Sequence, residues 1–177
     1  MDNIDIKNYK ATVLMPVYNC EQFLHEAIDS IINQDYKHFE FIIINDGSTD
    51  NSSLIINSYN DARIRYIENS LNLGLIATLN KGIELAKGEY IVRMDADDVA
   101  YPSRIRKQIA FMETHKDIDI SGTWFIKIGK STFNSNPITI EDCRLELLDN
   151  VVLAHPTVIF RRASFLSKGL KYDYSAL

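Results

Sequence analysis

Three carboxylates fall within four residues at Asp95-Ala96-Asp97-Asp98, directly after the run Tyr90-Ile91-Val92-Arg93-Met94, which reads as a strand. Like charges a few ångströms apart repel and raise each other's pKa, by roughly a kcal/mol or more per pair once water is partly excluded. A hard divalent cation relieves that repulsion. Oxygen ligands at a strand end suit Mg2+ or Mn2+, which keep positions open for water and for the oxygens of a diphosphate. Taken alone, the same residues also fit a solvated acidic turn in which Asp98 or Ser103 caps the following helix. The rest of the chain must decide between these two.

Two further motifs carry related chemistry. In Pro16-Val17-Tyr18-Asn19 a tyrosine can stack on a nucleobase, and in Asn45-Asp46-Gly47-Ser48 an aspartate can accept the imide N–H of uracil or another base donor. Together with a metal on Asp97, these would hold base and diphosphate of one ligand, provided the chain brings them to a common edge.

The elements that must do so are legible as short apolar runs alternating with helical periodicity, the pattern of strands joined by crossover helices. Ala11–Met15 is a buried strand stopped by Pro16; Phe23, Leu24, Ala27, Ile28, Ile31 and Ile32 form one helical face; Phe39–Ile44 is the next strand. Gly47 permits the turn that follows, and a hydroxyl or carboxylate at 48–50 caps a helix carrying Leu54, Ile55 and Ile56. Arg65–Ile67 is a short strand, Leu75–Ala86 a helix ended by Lys87-Gly88, and Glu89–Met94 the central strand. Beyond Pro102 and the expected cap Ser103 come a helix with Ile105, Ile109 and Met112, a strand over Ile118–Gly122, and a hairpin or loop from Trp124 to Pro137. Thr139–Asp142 resembles a capping box for a helix through Leu148, and Val151–Phe160 is a strand interrupted by His155-Pro156. In such an open α/β sheet, ligands bind outside the carboxyl ends of the strands, which is where all three motifs lie.

Composition narrows the class. The 177 residues are 46% hydrophobic and 10% aromatic with net charge −5, enough for one soluble domain with a sizeable core. No apolar run approaches the ~20 residues of a membrane span, and the acidic start lacks the form of a secretory signal, so the expected location is cytoplasmic. Cys20 and Cys143 lack metal-site or disulfide-framework spacing and read as reduced thiols. An acidic pI of about 5.3 argues against nucleic acid as partner. The basic clusters Arg104–Lys107 and Arg161-Arg162 read as solvated charges, with a phosphate or an anionic membrane surface as the alternative.

In order along the chain, Pro16-Val-Tyr-Asn19, Ile44-Asn-Asp-Gly-Ser-Thr-Asp50, Asn72-Leu-Gly74, Gly88-Glu-Tyr90, Asp95-Ala-Asp-Asp98 and His155-Pro-Thr157 resemble the family-2 glycosyltransferases of GT-A fold, over about residues 10–177. The resemblance implies a Rossmann-like, mostly parallel central sheet flanked by helices, in one domain over 1–177. It also implies transfer of a sugar from a nucleotide-diphosphate sugar with inversion. The donor is expected to be a UDP-sugar, and the acceptor a saccharide or lipid-linked oligosaccharide of surface polysaccharide assembly, met at the inner face of the membrane.

Carried over by position, Pro16, Val17 and Tyr18 would line the nucleoside, Glu21 would shape that pocket and Asp46 would recognise the base. Asp95 would meet the ribose or a metal-bound water, Ala96 the sugar through its backbone, and Asp97 would be the principal ligand of Mn2+ or Mg2+. His155 is a further candidate near the metal or the acceptor. Each has a plainer role open to it: strand end for Pro16, half-buried aromatic for Tyr18, first-turn carboxylate for Glu21, turn former for Asp46, structural residue for His155. Arg93, on the same strand side as Asp95, is expected as a structural counterion. Some family members carry an arginine at the place of Leu79 that meets the diphosphate, and Lys81 is a candidate substitute.

Inverting transfer needs a carboxylate to take the acceptor's proton. The family's base lies beyond the segment resembling Lys171–Leu177, so the chain is expected to be a fragment truncated before it, and Asp173 is not assigned that role. Competing classes are a non-catalytic nucleotide- or sugar-binding module, a sugar nucleotidyltransferase, whose glycine-rich basic loop is absent after the first strand, and a phospho-accepting receiver, whose paired acids are absent there.

Overall fold

The computed structural model describes residues 9–127, 133–134 and 153–173. Its centre is a six-stranded sheet with the order β3-β2-β1-β4-β8-β5. Strands β1 (Ala11–Val17), β2 (Phe39–Asn45), β3 (Ile64–Glu68) and β4 (Tyr90–Arg93) are parallel, and β8 (Ile159–Arg161) runs antiparallel to both β4 and β5 (Ile120–Ser121). A separate two-stranded sheet pairs β6 (Phe125–Ile126) with β7 (Phe133–Asn134) antiparallel, within the stretch expected as hairpin or loop.

Strands β1, β2 and β4 are buried on both faces, which is why they read as continuous apolar runs. Val13, Met15, Phe41, Ile43 and Val92 face one layer, with Leu24, Ala27, Ile28 and Ile31 of α1 (Leu24–Ile32), Ile56 of α2 (Ser52–Asn57), and Ile105, Ile109 and Met112 of α4 (Arg104–Thr114). Leu14, Ile42, Ile44 and Ile91 face the other, against Leu79 and Ile83 of α3 (Leu75–Leu85) and Phe160 of β8. A last helix, α5, spans Arg162–Ser167. After β3 the chain crosses beneath the sheet through α3 and re-enters beside β1 as β4. Strand order therefore reverses between β1 and β4, opening a crevice at their carboxyl ends.

Several boundaries differ from expectation. Pro16 does not stop β1 but lies within it, opposite Ile44. Leu14 O accepts from Met94 N on the β4 side, so Pro16, two residues on, turns its missing donor to that same side, where β4 has already ended. Ser103 stands at the N-terminus of α4 without a side-chain cap bond; Gln34 Oε1 accepts from Ile105 N instead (3.0 Å). Phe23 is exposed rather than part of the α1 core face. The residues 155–157 form a short 3-10 turn ahead of β8, and the expected helix from Thr139 lies outside the described residues.

The loop from α3 into β4 is pinned beneath β1. Glu40 Oε1 accepts from Thr12 Oγ1 (2.7 Å) and Lys87 N (2.6 Å), and Gly88 N donates to Thr12 Oγ1 (2.9 Å). A Cβ at Gly88 would meet Ala11 C and Thr12 N at 2.3 Å, so only glycine fits so close to the neighbouring backbone.

Candidate active site at the carboxyl edge of the sheet

Strand β4 ends at the acid turn. Each of Asp95, Asp97 and Asp98 offers a carboxylate oxygen, and these atoms lie within 4.8 Å of one another. Asp97 is exposed and the other two are half-buried. Burial first, then the charges of Asp95 and Asp97, push the Asp98 carboxyl above its ordinary range, while Arg104 and Arg93 oppose this. Asp98 therefore lies with Asp95 and Asp97 in the cluster of carboxylates.

Arg93 is 1% exposed; its Nη2 donates to Asp95 Oδ1 (2.5 Å) and its Nη1 to Met94 O. Arg104 turns inward rather than into solvent, contrary to expectation. Its Nη2 donates to Arg93 O and Pro156 O (both 2.7 Å) and its Nε to Gln108 Oε1 (3.1 Å). Burial holds the Arg104 guanidinium down at about 10. Arg161 also turns inward, from its Nη1 to Tyr90 OH (2.8 Å) and from its Nη2 to Met112 O (2.5 Å). Both arginines go where strand ends and helix ends leave carbonyls without a donor.

The loops after β1 and β2 are locked to each other. Asn19, at φ 50°, donates from its N to Ser48 Oγ (3.0 Å) and accepts from Thr49 N (2.8 Å). Asp50 Oδ2 accepts from Glu21 N (2.9 Å) while its Oδ1 accepts from Ser52 N (3.0 Å); the N-cap position of α2 itself is Asn51, which makes no side-chain cap bond. Glu21 Oε2 accepts from both Asn51 N (2.9 Å) and Asn51 Nδ2 (2.8 Å). Glu21 is thereby a clamp between the two loops, and Tyr18 beside it is 48% exposed. Burial first, then the charges of Asp97, Asp50 and Asp95, push the Cys20 thiol above its ordinary range, with the hydrogen bond to Tyr18 O opposing.

Asp46 is 3% exposed. Its Oδ1 accepts from Asn69 Nδ2 (2.7 Å) and Leu73 N (3.0 Å), and its Oδ2 from Gly74 N (2.9 Å). Two lone pairs per oxygen leave one acceptor position, on Oδ2. Gly47, at φ 70°, packs so closely that a Cβ would meet Leu71 C and Asn72 N at 2.6 Å. Asp46 and Gly47 therefore seat the loop 69–74 against the end of β2. Leu79 is buried at 1% exposure in the core. The Lys81 ammonium donates to Asn69 Oδ1 (2.5 Å).

His155 Nε2 is 2.9 Å from Tyr172 OH, and the rings meet edge-on at 5.1 Å. Burial, then Arg93, push its imidazole below the ordinary range, with Asp95 opposing; the carboxylates gathered at the acid turn do not include it. Tyr172 is itself fastened to α3: its N donates to Asn80 Oδ1 (2.9 Å) and its O accepts from Asn80 Nδ2 (3.0 Å). No sequence signal announced that bridge. A pocket lined by Lys10, His38, Lys87 and Glu89 opens at the opposite, amino edge and shares no residue with this site. Among the described residues no helix is long and apolar enough to cross a membrane.

Among proteins of similar sequence, the glycosyltransferase MJ1057 of Methanocaldococcus jannaschii, itself uncharacterized, is 36% identical over 171 residues, 92% of this chain and 58% of that protein. WfaP of Escherichia coli, a UDP-Glc:alpha-D-GlcNAc-diphosphoundecaprenol beta-1,3-glucosyltransferase, is 38% identical over 105 residues, 59% of this chain and 42% of its own. The chain thus spans about half the length of these curated relatives. Among solved structures, S. aureus TarS 1-349 in complex with UDP-GlcNAc has a TM-score of 0.77 at 24% identity, over 92% of this chain and 48% of that one. The mannosyltransferase PcManGT from Pyrobaculum calidifontis, in complex with GDP-Man and Mn2+, has a TM-score of 0.70 at 18% identity, over 90% and 46%. At such identities these two speak to the fold alone, and that fold is the expected GT-A architecture. Residues 12–170 match the family model for glycosyl transferase family 2. Because that match runs from the first strand to beyond the last helix, the chain belongs to glycosyl transferase family 2.

Proposed function

We propose that this chain binds the donor of a metal-dependent, inverting sugar transfer, a nucleoside-diphosphate sugar with uridine as the favoured base. The observation that carries this reading is the meeting of three carboxylate oxygens within 4.8 Å at the end of β4, beside the reversal of strand order. Such a donor set fits a hard cation. Asp97, Asp95 and Asp98 would hold Mn2+ or Mg2+, whose charge would stabilise the leaving diphosphate. His155 stands to one side, its Nε2 engaged with Tyr172 OH.

The remaining roles follow from position. Tyr18 offers an exposed ring for stacking on the base, with Pro16 and Val17 forming the floor at the end of β1. Asp46 Oδ2 keeps an acceptor position for the imide N–H. Asp95, fixed by Arg93, would face the ribose or a metal-bound water, and the Ala96 backbone the sugar. Glu21 would shape the pocket by holding the β1 and β2 loops together. The ligands bound in the TarS and PcManGT structures, UDP-GlcNAc and GDP-Man with Mn2+, support this donor class. The lipid-linked acceptor in the name of WfaP supports a saccharide or lipid-linked acceptor in surface polysaccharide assembly.

Calorimetry with UDP in the presence of Mn2+ tests the reading. Binding should require the cation and weaken at least tenfold in Asp97→Asn. UDP binding that is indifferent to chelation, or absent with Mn2+ present, would overturn it.

A further inference from the structure

A cavity of about 470 Å3 opens at the amino edge of the sheet, and Tyr9, Lys10, His38, Lys87, Glu89 and Arg162 are among the residues that line it. That volume lies in the range of small-molecule sites. Its walls come from the starts of β1, β2 and β4 and from the end of β8. Backbone hydrogen bonds tie them together: Lys10 N donates to His38 O (3.2 Å), Tyr90 N to Lys10 O (3.1 Å) and Arg162 N to Glu89 O (3.0 Å). Lys87 N and Gly88 N are held by Glu40 and Thr12 beneath β1, so the cavity is formed before any ligand enters.

Its charge is opposite to that of the chain. Lys10 is engaged by Glu89 and Glu113 (both 2.6 Å), and Glu113 is shared with Lys116 (2.7 Å). Lys10, Lys87, Arg162 and Lys116 thus stand against Glu89 and Glu113, which leaves two positive charges in surplus on a chain of net charge −5. The surplus falls on Lys87 and Arg162. Arg162 Nε donates to Ile83 O (3.3 Å), and among the described residues neither its Nη atoms nor the Lys87 ammonium has a partner. A guanidinium anchored at Nε and at its own backbone presents a planar fork for two oxygens of one phosphate, and an ammonium adds a point charge.

We propose that this cavity binds a small organic phosphate monoester, its dianion held by Arg162 and Lys87 and its organic part lying toward Tyr9. Two surplus charges match a phosphate monoester, which is a dianion above its second pKa of about 6, whereas a carboxylate or a sulfate ester carries one charge. Cations that line a cavity rather than a flat face suit a small ligand better than a bilayer surface. The site is distinct from the acid turn, which lies at the opposite edge of the sheet.

Calorimetry with phenyl phosphate at about pH 7.5 in EDTA tests this, because without a divalent cation the acid turn repels anions. Binding should saturate and be at least about fivefold tighter than that of phenyl sulfate, which has the same ring and one charge less. Lys87→Gln and Arg162→Gln should each weaken it about tenfold, and Arg162→Lys, which keeps the charge but loses the fork, about threefold. Affinity for UDP with Mn2+ should stay the same in all three variants. No binding by the wild type, binding that the substitutions leave unchanged, or equal binding of phenyl sulfate would overturn the proposal. An equal loss of UDP affinity would place the effect in the fold rather than the cavity and overturn it too. Loss of binding to phosphatidylglycerol vesicles in the variants, with no phenyl phosphate bound by the wild type, would make the surface a membrane contact and remove the small-ligand reading. Should Arg162→Gln fail to fold, Lys87→Gln, at an exposed residue, carries the same comparison.

Discussion

Taking one acid out of the β4 turn and taking out its counterion should have opposite effects on the metal-free protein. Asp97→Asn relieves repulsion within the cluster, so thermal stability without metal should hold or rise while Mn2+ affinity falls at least tenfold. Arg93→Met instead leaves Asp95 without its partner and a buried site without its cation. Breaking a buried pair costs about 3–5 kcal/mol, and because the Asp95 side chain is 33% exposed we expect nearer 2 kcal/mol by urea denaturation. Equal destabilisation by both substitutions would mean that the acids are structural, with no preference for a cation. At this scale the sequence was most informative where residue type alone decides the chemistry, as in the acid run. It was least so for Glu21, Lys81 and Arg104, whose partners come from segments 30, 12 and 52 positions away.

Elements differ in what their glycines and ion pairs tolerate. Gly88→Ala sets a Cβ 2.3 Å from the β1 backbone, which cannot move without disturbing the central strand, so a loss above ~2 kcal/mol is expected. Gly169→Ala, at φ 63° with nothing within 4 Å, should cost only the ~1–2 kcal/mol of a left-handed residue. Chemical denaturation of the two variants separates contact from conformation.

Helix α4 is tied to the amino edge by Glu113, which accepts from Tyr90 OH (2.6 Å) and pairs with Lys10 (2.6 Å) and Lys116 (2.7 Å). Hydrogen bonds from Lys10 first, then Lys116 and Tyr90, hold its carboxyl at about 2, below the ordinary 4.5. A depressed folded value means that its contribution is present above pH 4.5 and lost as pH falls toward 2. Glu113→Gln should therefore lower the melting temperature at pH 7 and flatten its decline across that acid window. An unchanged acid limb would show that other carboxylates carry it.

For the molecule as a whole, cation binding and folding are linked. At about a hundredfold excess over Kd a ligand stabilises by about 2.7 kcal/mol, and a chain of this size gains about 2–4 °C per kcal/mol. Mn2+ with UDP should thus raise the melting temperature by about 5–10 °C, and Mn2+ alone by less. The same shift in an Asp97→Asn, Asp98→Asn double variant would place the cation elsewhere on a protein of net charge −5, which offers many weak acidic sites.

What the chain determined by itself was the alternation of strands and helices and the placing of three motifs at strand ends, because periodicity, turn residues and charge clusters are local properties. Tertiary structure decided everything that depends on a neighbour brought from far along the chain. It kept Pro16 inside β1 by ending β4 beside it, enclosed Asp46 in the amides of the loop 69–74, and turned Lys81 onto Asn69. It also drew Arg104 and Arg161 onto unpaired carbonyls. The physical reason is the same in each case: a buried donor or acceptor must be matched, and which group matches it is known only when the sheet has assembled.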